Sequence, residues 1–157
     1  HTVEVEGASM RVYDRGIFGF NDNHECFVRH LNQGSIDGPT AGNAIARPWQ
    51  STGDAVAIPT GPYWTLEQRV LCFLPGDAQA REHTAKEIID AGIEAIVALF
   101  LAHSHKDTLY YSVNHNEPPG GDRIGLAIFA GAVGDDVRDY ITAQLKKVPD
   151  YVQEKRG

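Results

Sequence analysis

Apolar side chains recur at three- and four-residue steps in three segments, and this spacing places them on one face of an α-helix. The first segment covers residues 21–32, where polar residues suited to capping precede Phe27 and Leu31. The second begins at a cap on Asp77 and reaches about Ala102, with a stripe made of Ile89, Ile93, Ile96 or Val97, and Phe100. The third begins at Gly134-Asp135, and its stripe is Val137, Tyr140, Ile141, Leu145 and Val148, with Pro149 expected to bend or end it. The pattern predicts three amphipathic helices.

Other segments show the two-residue alternation, or the β-branched and aromatic content, that is typical of strands. These segments are residues 2–6, 10–20, 55–58, 65–74, 109–113 and 124–128. Both faces of segment 65–74 are apolar, so we expect it to be a central strand. The last two segments flank the turn-forming Pro118-Pro119-Gly120-Gly121 and predict a β-hairpin with a loop over residues 116–122.

The order of these elements predicts the architecture. From Arg11 onward it is strand, helix, two strands, helix, two strands, helix, which contains the β-α-β-β-α-β arrangement of ferredoxin-like folds. Helices with a single apolar stripe pack on one face of such a sheet. We therefore predict one α+β domain over residues 1–157, a two-layer sandwich with a mostly antiparallel sheet and helices packed on one face.

Charge and hydropathy limit the classes of partner. The formal charge of −7 and the pI near 5.4 argue against nucleic acid, because binding to a phosphate backbone needs clustered lysine and arginine. No apolar run approaches the roughly 18 residues that cross a bilayer. The expected partner is thus a protein or a small-molecule ligand, with no nucleic acid and no membrane span.

The cysteines and the first residue bear on the compartment. Cys26 and Cys72 are what a secreted domain with one disulfide would carry, although two buried thiols are the other interpretation. His1 in place of methionine is expected for a processed mature chain or for an expression product. Together they favour a secreted or periplasmic protein, with a cytoplasmic one as the alternative.

Histidine and carboxylate side chains offer a candidate metal site. His103, His105 and Asp107 would share one face of an extended segment, and imidazole with carboxylate suits zinc or copper. The alternative is that the two histidines cap the end of the preceding helix. His24 and His30 are six residues apart, whereas a zinc-binding helix needs histidines four apart, so they predict no such site.

Large aromatic residues mark a candidate binding surface. Residues 35–53 are rich in glycine, proline and polar residues, and Trp49, Tyr63 and Trp64 lie in or just after them. These rings are candidates for a ligand platform, together with His115 and Glu117 beside the hairpin loop. The alternative is that the rings anchor the loop to the body of the protein.

Two functions follow from these candidates. The first is a secreted interaction protein of a toxin, effector or ligand-binding type, which uses residues 35–64 and the 116–122 loop as its contact surface. The second is a small enzyme, either metal-assisted or of the His/carboxylate acid–base kind, centred on His103, His105 and Asp107.

Overall fold

Among the residues that the computed structural model describes, three short strands precede each α-helix. These residues are 2–5, 8–11, 15–33, 38, 42–114, 123–125 and 132–157. The strands are β1 (Thr2–Val5), β2 (Ala8–Arg11), β3 (Gly16–Asn23), β4 (Ala55–Gly61), β5 (Arg69–Cys72), β6 (Arg81–Thr84), β7 (Thr108–Tyr111), β8 (Val113–Asn114) and β9 (Arg123–Ile124). The α-helices are α1 (His24–Gln33), α2 (Ala85–Ala102) and α3 (Asp135–Arg156), and a 3-10 helix covers Gly42–Thr52.

The main sheet has three strands in the order β4-β3-β7, and both pairings are parallel. Antiparallel pairing joins β1 to β2, β5 to β6 and β8 to β9, each as a separate two-stranded sheet. The prediction of a two-layer, ferredoxin-like sandwich with a mostly antiparallel sheet is therefore wrong. The chain is α+β, but its core strands run in one direction.

Burial explains why the core strands are parallel. All seven residues of β4 are buried, so both faces of this strand are covered, as is usual in parallel sheets. Parallel neighbours need a long crossover connection, and α1 with the 3-10 helix supplies it between β3 and β4. The 3-10 helix occupies most of the stretch that the sequence predicted to be irregular.

The segment predicted to be a central strand forms a surface hairpin instead. Leu71 of β5 is 69% exposed and Phe73 is 38% exposed, so the apolar residues on one face of this strand meet solvent. Its partner β6 occupies residues that the sequence assigned to the start of the second helix. That helix begins at Ala85, where the hydroxyl of Thr84 accepts a hydrogen bond from the backbone N–H of Glu87 at 3.2 Å.

The apolar stripes of α2 and α3 are buried as predicted, except for Tyr140, which is half-buried. The buried residues of α2 include Ile89, Ile93, Ile96, Val97 and Phe100, and those of α3 include Val137, Ile141, Leu145 and Val148. Pro149 lies inside α3 and does not end it. The Tyr140 hydroxyl donates to Asp90 near the start of both helices, and Arg156 donates to the carbonyl of Phe100 near their ends. The two helices are thus neighbours that run in the same direction.

Cys26 and Cys72 are both buried free thiols. The predicted disulfide is therefore wrong, and the argument for export that rested on it is lost. Separately, no helix within the described residues combines the length and the hydropathy needed to cross a membrane.

Candidate functional site at the carboxyl edge of the parallel sheet

The carboxyl ends of β3, β4 and β7 lie along one edge of the sheet because the three strands are parallel. The chain passes from β3 to β4 on one side and then crosses to β7 on the other, so the strand order reverses at β3. In open parallel sheets, ligands bind in the crevice outside the carboxyl ends of the strands at such a reversal. Asn21, Asp22 and Asn23 end β3 at this edge, and His24 begins α1.

A buried ion pair fixes the end of β3. Arg47 of the 3-10 helix donates two hydrogen bonds to the carboxylate of Asp22, at 2.8 and 3.0 Å, and the exposed fractions of the two side chains are 2% and 0%. The guanidinium also lies over the ring of Phe20, 5.2 Å from its centroid. Burial by itself would lower the pKa of Arg47, but the hydrogen bonds and charge of Asp22 outweigh it and raise that pKa. The pair ties the 3-10 helix to the edge of the sheet.

The Asp22 backbone is tied to β4 as well. The hydroxyl of Thr60 donates to the carbonyl of Asp22 at 3.1 Å, and both residues are buried. Since β3 and β4 are also paired through this region, the two strand ends are held in a fixed relative position. The residues that follow each strand therefore project from a rigid base.

His24 and Tyr63 form the central contact of the edge. A hydrogen bond of 2.7 Å joins Nδ1 of His24 to the hydroxyl of Tyr63, and the rings meet edge to face with their centroids 5.8 Å apart. Tyr63 is 1% exposed, while His24 is half-buried. Desolvation lowers the pKa of His24, although the charge of Glu25 opposes this shift. Burial raises the pKa of Tyr63. At neutral pH the contact therefore joins a neutral imidazole to a neutral phenol.

Asn21 lies at the same edge, and its side-chain amide bonds to the described residues through its nitrogen. Its amide nitrogen donates to the carbonyl of Gly125, which follows β9. Its Oδ1 atom is buried and, among the described residues, has no hydrogen-bond partner. A buried polar atom without a partner costs free energy, and such an atom in a native protein calls for an explanation such as a ligand or a water molecule.

Two glycines shape the segment that carries Tyr63. Gly61 has a φ of +94°, and a Cβ atom there would lie 2.3 Å from the backbone nitrogen of Tyr63. Gly134 precedes α3, and a Cβ atom there would lie 1.8 Å from the carbonyl oxygen of Trp64. Its N–H donates to the carbonyl of Tyr63 at 3.0 Å. These close approaches fix residues 61–64 against the start of α3.

Helix amino termini also meet this edge. α1 begins directly after β3, with Oδ1 of Asn23 accepting from the backbone nitrogen of Cys26 at 2.9 Å. α3 begins beside Tyr63 through Gly134, which offers no capping side chain. The positive ends of both helix dipoles therefore face the region around His24 and Tyr63. Glu25 in the first turn of α1, and Asp135 and Asp136 in the first turn of α3, offset these dipoles with negative charge.

The structure separates the aromatic residues that the sequence grouped as a binding surface. Trp49 is buried in the 3-10 helix and Tyr63 is buried behind His24, while Trp64 is 62% exposed. Burial of the first two fits the alternative in which the rings anchor the loop. Trp64 is the exposed residue of the three. His115 and Glu117, the other predicted binding residues, lie outside the described residues.

The predicted metal ligands lie before β7, at the opposite, amino edge of the sheet. The rings of His103 and His105 are 6.1 Å apart, and the guanidinium of Arg15 lies 2.7 Å from Asp107 and lowers the pKa of that carboxyl. Within the described ranges, no group of three or more histidine, cysteine or acidic residues could hold a metal ion. The prediction of a zinc or copper site is therefore wrong. His103 is the residue that ends α2, and its backbone N–H donates to the carbonyl of Leu99.

Sequence reasoning missed Asn21 and His24 as site residues. It interpreted residues 21–23 as helix caps, which Asn23 confirms, and it tested His24 only against a zinc pattern. A usable signal was present, because a polar run directly after a buried strand and before a helix is typical of the carboxyl edge of a parallel sheet. Comparison with protein-family models, curated proteins and solved structures finds no match to this chain.

Proposed function

We propose that this protein binds a small polar ligand in the crevice at the carboxyl edge of the β4-β3-β7 sheet. The observation that carries the proposal is the buried Oδ1 atom of Asn21, to which no described residue donates a hydrogen bond, at the point where the strand order reverses. A ligand that donates a hydrogen bond to this atom removes the cost of leaving it unpaired. The ordered surroundings of Asn21 favour binding because the edge needs little rearrangement.

The groups at this edge define the ligand chemistry. Asn21 needs a donor, and Nε2 of the neutral His24 ring can donate or accept. Trp64 exposes an indole ring on which a planar group can stack. Backbone N–H groups at the start of α3, which has no side-chain cap, can donate to an electron-rich substituent. A planar heterocycle with an N–H donor, such as a nucleoside or its monophosphate, has all of these features.

This proposal keeps part of the interaction surface that the sequence indicated. Residues 60–64 belong to the 35–64 region, and they comprise the end of β4 and the residues that follow it. The proposal therefore keeps the predicted ligand binding. It does not depend on the prediction that the protein is secreted. The acid–base enzyme centred on His103 and His105 is not supported by geometry, because these side chains lie at the other edge of the sheet.

Thermal unfolding with a ligand panel tests the proposal. The panel contains nucleosides and nucleoside monophosphates, with sugars and amino acids that lack a planar ring. Ligand at a hundred times its dissociation constant stabilises the folded state by about 2.7 kcal/mol, so a binder raises the unfolding temperature by several degrees. We expect such a rise for a member with a planar ring.

Variants locate the site on the protein. Asn21→Leu removes the Oδ1 acceptor at similar volume, and Trp64→Ala removes the exposed ring. Both are expected to weaken binding by about tenfold, which corresponds to roughly 1.4 kcal/mol. Leu101→Ala removes an exposed apolar side chain near the carboxyl end of α2 and is the matched control. The proposal fails if no compound shifts the transition, or if both site variants bind like the wild type.

A further inference from the structure

A groove lies between α2 and α3, away from the edge that carries His24. Its volume is about 640 Å³. α2 contributes Asp90, Ile93, Glu94, Val97, Ala98 and Leu101, and α3 contributes Tyr140, Gln144, Tyr151, Glu154 and Lys155. The α2 residues recur at three- and four-residue steps, so they form one continuous stripe along that helix. The groove is therefore a linear channel between two parallel helices.

The groove has an apolar floor. Ile93 and Val97 lie at its base and are nearly buried, while Ala98 and Leu101 are exposed. The partly buried rings of Tyr140 and Tyr151 form the wall on the α3 side. Such a surface can bury the apolar stripe of another segment.

The rim of the groove is acidic. Its lining includes three carboxylates, of Asp90, Glu94 and Glu154, against the single amine of Lys155. Asp90 accepts a hydrogen bond from the hydroxyl of Tyr140. Glu94 and Glu154 are exposed and form no hydrogen bond or ion pair with any other described residue. The groove lining therefore carries a net negative charge, which lies on the α2 side because Lys155 balances Glu154 on α3.

We propose that this groove binds a basic amphipathic helix of a partner protein. At 1.5 Å per residue, Asp90 to Leu101 spans about 16 Å, which matches three turns of a bound helix. Apolar residues of that helix at i, i+3 or i+4 and i+7 would pack on Leu101, Ala98 and the two tyrosines. Lysine or arginine residues beside this stripe would pair with Glu94 and Glu154. If the groove of a second copy faced this groove, carboxylates would lie opposite carboxylates. Charge therefore favours a different, basic partner.

The first measurement is direct binding of a probe helix. The probe is a fluorescein-labelled peptide of about 14 residues, roughly 20 Å long as a helix, with a leucine stripe flanked by lysines. We expect saturable binding by fluorescence anisotropy at low salt, and weaker binding at high salt because screening reduces the attraction of exposed charges. Failure of the wild-type protein to bind this peptide at low salt overturns the proposal.

Charge reversal then tests the position of the site. Glu94→Lys with Glu154→Lys is expected to weaken binding by about tenfold or more, because like charges would face each other. The same variant should bind a peptide with glutamates in place of the lysines better than the wild type does. Glu67→Lys with Glu82→Lys is the matched control, since it changes the net charge equally at exposed positions outside the groove. The ion pair of Glu82 with Arg69 is itself exposed, and its loss costs little.

Three outcomes separate the alternatives. Selective loss in the groove variant, with rescue by the acidic peptide, supports the proposal. An equal loss of peptide binding in both double variants would show that the peptide is attracted by net charge alone, and it would overturn the proposal. Sedimentation of the wild type as a dimer that the groove reversal dissociates assigns the groove to a second copy of the chain and also overturns it.

Discussion

The ion pair between Asp22 and Arg47 illustrates how single residues hold the candidate site. Both charges have left water, and their attraction offsets that cost only because the two hydrogen bonds have good geometry. Asp22 lies between Asn21 and His24 in the chain, so the ion pair holds the backbone that carries both residues. Its function is to fix the position of the site residues, because Asp22 also accepts a hydrogen bond from Thr60 through its carbonyl.

Removal of the Arg47 charge tests this interpretation. Arg47→Met leaves the Asp22 carboxylate buried without its partner, and we expect the free energy of unfolding to fall by about 3–5 kcal/mol. Urea denaturation at pH 7 measures the change. Arg69→Met, which removes an exposed ion pair with Glu82, is the control and should change stability by less than about 1 kcal/mol. Similar losses in the two variants would contradict a special contribution from the buried pair.

A comparison of Gly61 with Gly76 distinguishes the effect of backbone strain on stability from the effect of steric overlap. Their φ values are +94° and +95°, so alanine at either position is strained by about 1–2 kcal/mol. A Cβ atom at Gly76 meets nothing within 4 Å, whereas at Gly61 it overlaps Tyr63. We expect Gly61→Ala to destabilise the protein clearly more than Gly76→Ala, as measured by urea denaturation. Equal losses would show that the segment carrying Tyr63 can move away.

Local patterns predicted local contacts and missed distant ones. The capping role of the Asn21–Asn23 segment was visible because a cap acts on the next turn of the same helix. The His24–Tyr63 hydrogen bond joins residues 39 positions apart. The spacing of residues within one element cannot predict a hydrogen bond between two elements. This bond could be found only once the pairing of β3 with β4 was known.

At the scale of elements, the helices were predictable and the strand partners were not. The apolar period of α2 and α3 reports directly which face is buried, and the structure confirms both stripes. Strand alternation gives no information about direction, so β3 and β4 could equally have been antiparallel. Segment 65–74 has apolar residues on both faces, but among the described strands it pairs with β6 alone, and Leu71 is exposed.

The β5–β6 hairpin is joined to α2 by a buried histidine between two carboxylates. His83 bonds to Asp77 at 2.7 Å through Nε2 and to Glu87 at 2.8 Å through Nδ1. Asp77 also accepts from the backbone nitrogen of Leu74 at 2.9 Å. The sequence assigned Asp77 to the cap of the helix, whereas it joins the turn after β5 to the strand before α2.

Acid should weaken this connection. The backbone N–H of Leu74, followed by the hydrogen bond to His83, lowers the pKa of Asp77 to about 2. The unfolded chain has a value near 3.9, so Asp77 contributes stability above about pH 4 that is lost as the pH falls toward 2. In urea titrations from pH 6 to about pH 2, the stability difference between wild type and Asp77→Asn should shrink over this interval. A difference that stays constant would contradict this assignment.

At the scale of the whole molecule, stability is expected to be uneven. β3 and β4 form the interior of the fold, while the β5–β6 hairpin has one exposed face. In native-state hydrogen exchange, the slowest amides should therefore belong to β3, β4 and the buried part of α2. The β5–β6 amides should exchange earlier, through a smaller opening. Equal protection of the hairpin and β4 would show that the chain opens as a single unit.

Lys106 lies at the opposite end of the sheet from Asn21 and His24. It is 3% exposed, and its Nζ donates to the carbonyl of Gly16 at 3.0 Å and to Asp54 at 2.5 Å, which joins the starts of β3, β4 and β7. A buried amine with these two bonds does not react with an acylating reagent while the protein stays folded, whereas the exposed Lys147 does. Mass spectrometry after brief acetylation should find Lys106 unmodified in the native protein and modified in urea, so this residue is a built-in chemical reporter of unfolding.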